Sequence, residues 1–167
     1  MSLAAFYLAR VRRVLAVLFV LTAAAAHPAL ADIAGAARVT QGDIIEVDGE
    51  PIRILGIDAP EAGQLCRRDG EPWRCGRSAT RALRSWIGLR PVSCESRGRE
   101  RDGRILAKCA VGGRDIGEWI LWSGWAVAYA GYSHEYTRAE NFAKHGRRGI
   151  WAGEFDNPWV WRMQREQ

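Results

Sequence analysis

Five charged residues stand where apolar, strand-like runs meet loops: Asp43 in "QGDIIEV", Arg53, Asp58 and Glu61 in "IRILGIDAPE", and Arg104 just after Gly103. Two aspartates and a nearby glutamate make an oxygen-rich set, which suits a hard cation such as Ca²⁺ or Mg²⁺ rather than zinc. Two arginines beside such a set suit a phosphate, because a guanidinium forks onto two anionic oxygens. Together these groups are equipped to hydrolyse a phosphodiester. A cation offsets charge on the phosphate, a carboxylate takes a proton from the attacking water, and the arginines stabilise the developing charge. Each residue also has a plainer reading. Asp58 and Glu61 lie either side of Pro60, as turn residues commonly do. Arg53 would be at home on a solvated strand face. Arg97, Arg99, Arg101 and Arg104 alternate with acids, as ordinary surface charge does.

Cooperation among the five requires elements that carry them to one rim. Arg53 and Asp58 have opposite parity along a flat strand, so they share a site only where the chain bends between them, and Gly56 is the place for that. Apolar alternation predicts strands at about 36–40, 44–47 and 51–57, with Asp48-Gly49 as a hairpin turn. A loop over 59–75 follows. Ala79, Ala82, Leu83, Trp86 and Ile87 form a helical stripe over about 76–87, with Arg77, Arg81 and Arg84 off it and Gly88 as its stop. Strands are expected at 92–96 and 104–111. Asp115 and Ser133 are placed to cap helices that end before Gly124 and Gly146. This order suits an α+β fold: a five-stranded Greek-key barrel of the OB type with about three helices. Trp86, Trp119, Trp122 and Trp125 are expected in the core, while Trp151, Trp159 and Trp161 pin the C-terminal tail.

Residues 1–31 carry Arg10, Arg12 and Arg13, no acid, a short apolar run and Ala29-Leu30-Ala31. That pattern reads as a secretory leader cut after Ala31, too short to span a membrane. The expectation is export to the periplasm or the medium, with residues 32–167 as one domain and no stable membrane insertion afterwards. Losing the leader's three arginines leaves 21 basic against 19 acidic residues, so net charge says little about a nucleic-acid partner. Cys66, Cys75, Cys94 and Cys109 form an even set in an exported chain and lack C-x₂-C spacing, which favours disulfides over a zinc site. Of three possible pairings, Cys66 with Cys75 and Cys94 with Cys109 is the one expected. "PVSCES" and "ILAKCAV" look like two strands of one hairpin, each cysteine about equally far from the turn.

"QGDIIEVDGEPIRILGIDAPE", "GRILAKCAVGG", "GWAVAYAGYS" and "GIWAGEFDNPWVWR" resemble the staphylococcal-nuclease-like (thermonuclease) family, over about 38–162 and closest to its exported bacterial members. The resemblance implies an OB-fold, Ca²⁺ and a DNA or RNA substrate cut at the bond to the 5′ oxygen. It implies Asp43, Asp58 and the Ala59 carbonyl as cation ligands, Glu61 as general base, and Arg53 and Arg104 on the phosphate. Tyr129 and Tyr132 match aromatic positions near the nucleotide, where a ring stacks on a base; a hydrophobic wall is the alternative for Tyr132. A monomer is expected. The chain departs from the pattern at Gln41 and Ile44, where the family has an acid and a threonine, and at Ala59, where the reference nuclease has threonine. Glu100 and Asp102 replace an aspartate and a tyrosine, and a carboxylate at 102 would repel a phosphate or tie up Arg104. The alternative from another class is a non-catalytic OB module that binds single-stranded nucleic acid or an envelope polysaccharide.

Overall fold

The computed structural model describes residues 32–129 and 132–165, so the leader and its cleavage site lie outside the described residues. Five strands close into a barrel: β1 (Asp32–Val39), β2 (Ile44–Val47), β3 (Glu50–Ile54), and, beyond several short elements, β7 (Pro91–Arg99) and β8 (Ile105–Val111). The order is β3-β2-β1-β7-β8, and a parallel β3–β8 pairing (Ile52 with Ile105, Ile54 with Ala107) seals the sheet on itself. This is the Greek-key circuit of the OB-fold. β1 serves two neighbours along its length, pairing with β7 over 32–36 and with β2 over 37–39.

Alternation fills the barrel. Along β8, Ile105, Ala107, Cys109 and Val111 point inward, and along β3, Ile52 and Ile54 do so while Arg53 faces out. Helix α1 (Cys75–Ile87) covers one side with Ala79, Leu83 and Ile87, all buried, spaced at i, i+4 and i+8. Helix α2 (Ile116–Trp122) starts at Asp115, whose carboxylate accepts from the Glu118 amide at 2.9 Å. Helix α3 (His134–His145) starts at Ser133, whose hydroxyl accepts from the Tyr136 amide at 3.1 Å. A 3₁₀ turn (Gly149–Ala152) and a short helix α4 (Pro158–Met163) follow, making four α-helices among the described residues where about three are expected.

The structure differs from expectation at several places. The strand expected over 51–57 breaks at Leu55-Gly56, where Gly56 takes φ +82°, and resumes as β4 (Ile57–Asp58) against β10 (Val127–Ala128). The loop expected over 59–75 contains a hairpin, β5 (Cys66–Arg68) and β6 (Glu71–Trp73). Its turn, Asp69-Gly70, has positive φ at both residues, as does Asp48-Gly49, which is the requirement of a type I′ hairpin. Another short strand, β9 (Arg114–Asp115), pairs with the end of β8. Trp122 is not in the core. It is 45% exposed at the end of α2, stacked on Phe142 with the Arg148 guanidinium against both rings. Trp86, Trp119 and Trp125 pack on the core as expected, whereas Trp159 in the tail is 51% exposed.

Both cysteine pairs are as expected. Cys94 and Cys109 face each other in the β7–β8 register, and Cys66–Cys75 ties the β5 strand to the start of α1. Among the described residues, no helix is long and apolar enough to cross a membrane.

Candidate active site

Small residues set the site's frame. Asp43 immediately precedes β2, and its carbonyl accepts from the Ile54 amide of β3 at 2.9 Å. A Cβ on the preceding Gly42 would fall 2.7 Å from the Ala59 Cβ and 3.1 Å from the Ala79 Cβ. Glycine at 42 and alanines at 59 and 79 therefore let the β1–β2 turn, the Asp58-Ala59 segment and α1 close on one point. Gly76, in the first turn of α1, does the same for Glu61: an added Cβ would lie 1.7 Å from the Glu61 carbonyl oxygen. The Gly56 turn brings Asp58 round to the side of Arg53, and a Cβ there would collide with the Tyr132 ring at 2.1 Å.

Asp43 and Asp58 meet at Arg53. Asp43 and Asp58 are only 2% and 3% exposed, and both touch Arg53 Nη2, at 3.2 and 2.9 Å. The Ala59 amide sits at 3.5 Å from the same Asp43 oxygen, Oδ2, a long contact. Burial pushes the Asp43 carboxyl up to about 6, and the charges of Asp58 and Glu61 add to that while Arg53 opposes it. Glu61 follows Pro60, with its amide donating to the Gln64 side chain at 3.2 Å, and its carboxylate is turned into the site rather than to bulk water.

Arg104 is linked to this group through Glu100, which lies 3.8 Å from Arg53 Nε and 3.0 Å from Arg104 Nε. The Glu100–Arg104 approach is a charge contact without hydrogen-bond alignment, so both atoms are buried without a directed partner. Asp102 takes the rest of Arg104: its carboxylate meets Nη2 at 2.8 Å and accepts from the Arg104 amide at 3.2 Å. The amide hydrogen bond, then the guanidinium, holds the Asp102 carboxyl below its ordinary range. Tyr129 follows β10, its amide donating to the Gly56 carbonyl at 2.9 Å and its side chain 70% exposed. Tyr132 is 37% exposed and lies over Gly56 with its ring 5.5 Å from Tyr136, so it walls the turn as well as facing solvent.

One residue of the site escaped the reading of the sequence. Arg162, on α4, forks onto Asp58 at 2.9 and 3.0 Å and meets Glu61 at 2.7 Å. Burial works against its charge, but the hydrogen bonds to Asp58 and Glu61 outweigh that and raise its pKa. The segment that delivers it is fastened to the loop after Glu61. Arg67 and Glu154 exchange backbone hydrogen bonds at 2.8 Å each, and the buried Gln64 amide donates to the Asp156 carbonyl at 2.7 Å. The available signal was Asn157-Pro158, a helix start, followed four residues later by arginine in an aromatic tail.

The donor chemistry fits a hard cation. Two desolvated carboxylates converge on one point, and at Asp43 burial raises the pKa by more than the Arg53 guanidinium lowers it. Among the described residues, no three His, Cys, Asp or Glu side chains form a ready metal cage. A backbone carbonyl and water would have to complete the shell around Asp43 and Asp58.

Comparison with known proteins gives the family. Residues 51–153 match the family described as Staphylococcal nuclease homologue, and the chain belongs to that family. It is 35% identical over 147 residues to the succinoglycan biosynthesis protein ExoI of Rhizobium meliloti (strain 1021), covering 86% of this chain and 75% of that protein. It is 29% identical over 119 residues to the probable staphylococcal-like nuclease CAN4 of Oryza sativa subsp. japonica, covering 70% of this chain and 22% of that one. With the probable endonuclease LCL3 of Schizophyllum commune (strain H4-8 / FGSC 9210) it shares 30% identity over 119 residues, 60% of this chain and 40% of the relative. The chain thus spans most of ExoI but less than half of these two nuclease-named relatives.

Proposed function

We propose that the chain is an exported, Ca²⁺-dependent nuclease that hydrolyses phosphodiester bonds of DNA or RNA. The observation that carries this is the convergence of buried Asp43 and Asp58 on the Arg53 guanidinium, with Glu61 alongside. Asp43, Asp58 and the Ala59 carbonyl would hold the cation, which when bound lowers the negative charge of the phosphate and favours ionisation of water. Glu61 accepts the proton of the water whose oxygen attacks phosphorus, the bond to the 5′ oxygen breaks as the new one forms, and the departing 5′ oxygen takes a proton from solvent to leave as a hydroxyl. Arg53 stabilises the added charge on the phosphoryl oxygens. Arg104 joins it by giving its undirected Nε a partner, once Asp102 yields to the substrate. Tyr129 offers an exposed ring for base stacking. Two disulfides support an oxidising compartment outside the cytoplasm, reached by the leader of residues 1–31, and a monomer suffices because every proposed group lies in one chain.

The test is labelled DNA and RNA incubated with the purified protein in Ca²⁺ and then in chelator. Cutting that stops on chelation, and that falls by roughly 10²–10⁴-fold in Glu61→Gln, is expected. Cutting that is indifferent to both overturns the mechanism. A second reading is supported by Asp102 on Arg104 and by the likeness to a succinoglycan biosynthesis protein. It is a non-catalytic OB module for single-stranded nucleic acid or an envelope polysaccharide, and it predicts binding without cutting in either condition.

A further inference from the structure

We propose that Arg162 is a built-in counter-cation: it occupies the face of Asp58 and Glu61 that a divalent ion and its water need, so ion binding and docking of Arg162 exclude each other. The inference rests on the reading of Asp43 and Asp58 as cation ligands.

The occupancy is direct. Both oxygens of Asp58 accept from Arg162, one of them also from Arg53, and the same Arg162 nitrogen that meets Asp58 Oδ1 meets Glu61 Oε1. A carboxylate oxygen has about two lone-pair directions, so Asp58 Oδ1 is fully spent on guanidinium. A divalent ion at this carboxylate would also stand beside a fixed positive charge. Glu61 Oε1 is likewise occupied, accepting from Arg162 at 2.7 Å until that guanidinium leaves.

The tail is built to hold Arg162 there and to let it go. The strap from Glu154 to Asp156 is fixed to Arg67 and Gln64 by backbone and buried side-chain hydrogen bonds. Past it, Pro158 is the only fully buried residue of α4. Trp159 and Met163 are about half exposed, and the Arg162 side chain is 31% exposed. The arm therefore sets the reach of Arg162, while little apolar packing opposes its withdrawal into water. A site whose competent form is the minor one binds its ligand more weakly by that fraction. If Arg162 is docked in about nine molecules of ten, apparent affinity falls roughly tenfold.

The experiment is calorimetric titration of Ca²⁺ into the ion-free protein, with Arg162→Gln, Arg162→Lys and the control Arg165→Gln. Arg165 carries the same charge three residues on but stacks on Trp161 instead. Affinity is expected to rise about tenfold or more in Arg162→Gln, less in Arg162→Lys, and not in Arg165→Gln. In the parent, Ca²⁺ should also speed hydrogen exchange over residues 158–165, because the ion evicts the side chain that holds α4 down. Equal Ca²⁺ affinity in parent and Arg162→Gln, or slower exchange of α4 on binding, overturns the proposal and leaves the ligand assignment standing. No Ca²⁺ binding by any of the four proteins overturns both.

Discussion

Asp43 should cost the ion-free protein stability at neutral pH, and Asp43→Asn should recover it. The carboxyl is 2% exposed and raised from 3.8 to about 6, mainly by desolvation. Because its folded pKa exceeds the unfolded one, its favourable contribution is complete below about pH 4 and is lost as pH rises through about 6. Above that, the folded protein holds an ion that it solvates worse than water does. The rise corresponds to about 3 kcal/mol at pH 7, at about 1.4 kcal/mol per pKa unit. Asparagine keeps an acceptor for the Ala59 amide and removes the charge, while Arg53 keeps Asp58 at 2.9 Å and is not orphaned. Urea unfolding in chelator at pH 4 and pH 7 measures this. The variant should match the parent at pH 4 and exceed it by about 2–3 kcal/mol at pH 7, with an unchanged denaturant slope. A variant less stable than the parent at pH 7, or a gain equal at both pH values, refutes the desolvation argument.

Two further outcomes follow from particular contacts. Asp102→Asn removes the carboxylate that faces Arg104 Nη2 at 2.8 Å, so kcat/KM on a DNA oligonucleotide should rise several-fold, most at low salt; an unchanged value would mean that Arg104 does not meet the substrate. Replacing Cys66 and Cys75 together by serine opens a crosslink between residues nine apart and should lower stability by about 2–3 kcal/mol in urea melts. Because that crosslink flanks Gln64, which holds both the Glu61 amide and the Asp156 carbonyl, hydrogen exchange should quicken from about 61 to 68 and again at 154–158.

What could be read ahead divides along physical lines. Asp43, Arg53, Asp58 and Glu61 were legible because strand alternation, one glycine and one proline fix where those side chains can go. Gly56, the only glycine between Arg53 and Asp58, had to bend the chain, and it does. The core stripe of α1 and the caps of α2 and α3 follow from local chemistry alone, and both cysteine pairs agree with the reading made from spacing. The β5–β6 hairpin was hidden because Arg67, Arg68 and Glu71 lack apolar alternation, and only Asp69-Gly70 signalled a turn. Trp122 falls on the apolar stripe of α2, but at the helix end it reaches past the core to Phe142 of α3, a pairing that no local pattern encodes. Arg162 is a sharper case. It is one arginine among many, separated by 104 positions from the aspartate it grips, and its role is created entirely by the route of the tail.

That route also explains how such a site survives folding. Asp43, Asp58 and Glu61 bring three carboxylates into one network, the two aspartates almost wholly buried, and without counter-charge that burial would strongly oppose the native state. Arg53 alone cannot neutralise them, since it also faces Glu100. Arg162 supplies the second guanidinium from a segment that folds onto the Glu61 loop through Gln64 and Arg67, so the chain can close its acidic pocket before any ion arrives. Asp43, which Arg162 does not touch, keeps a raised pKa, chiefly because it is buried and then because Asp58 and Glu61 add to what Arg53 opposes. An ion that displaced Arg162 would therefore relieve Asp43 while releasing α4. The same three carboxylates thus link the stability of the empty site, its affinity for a cation and the freedom of the C-terminal helix.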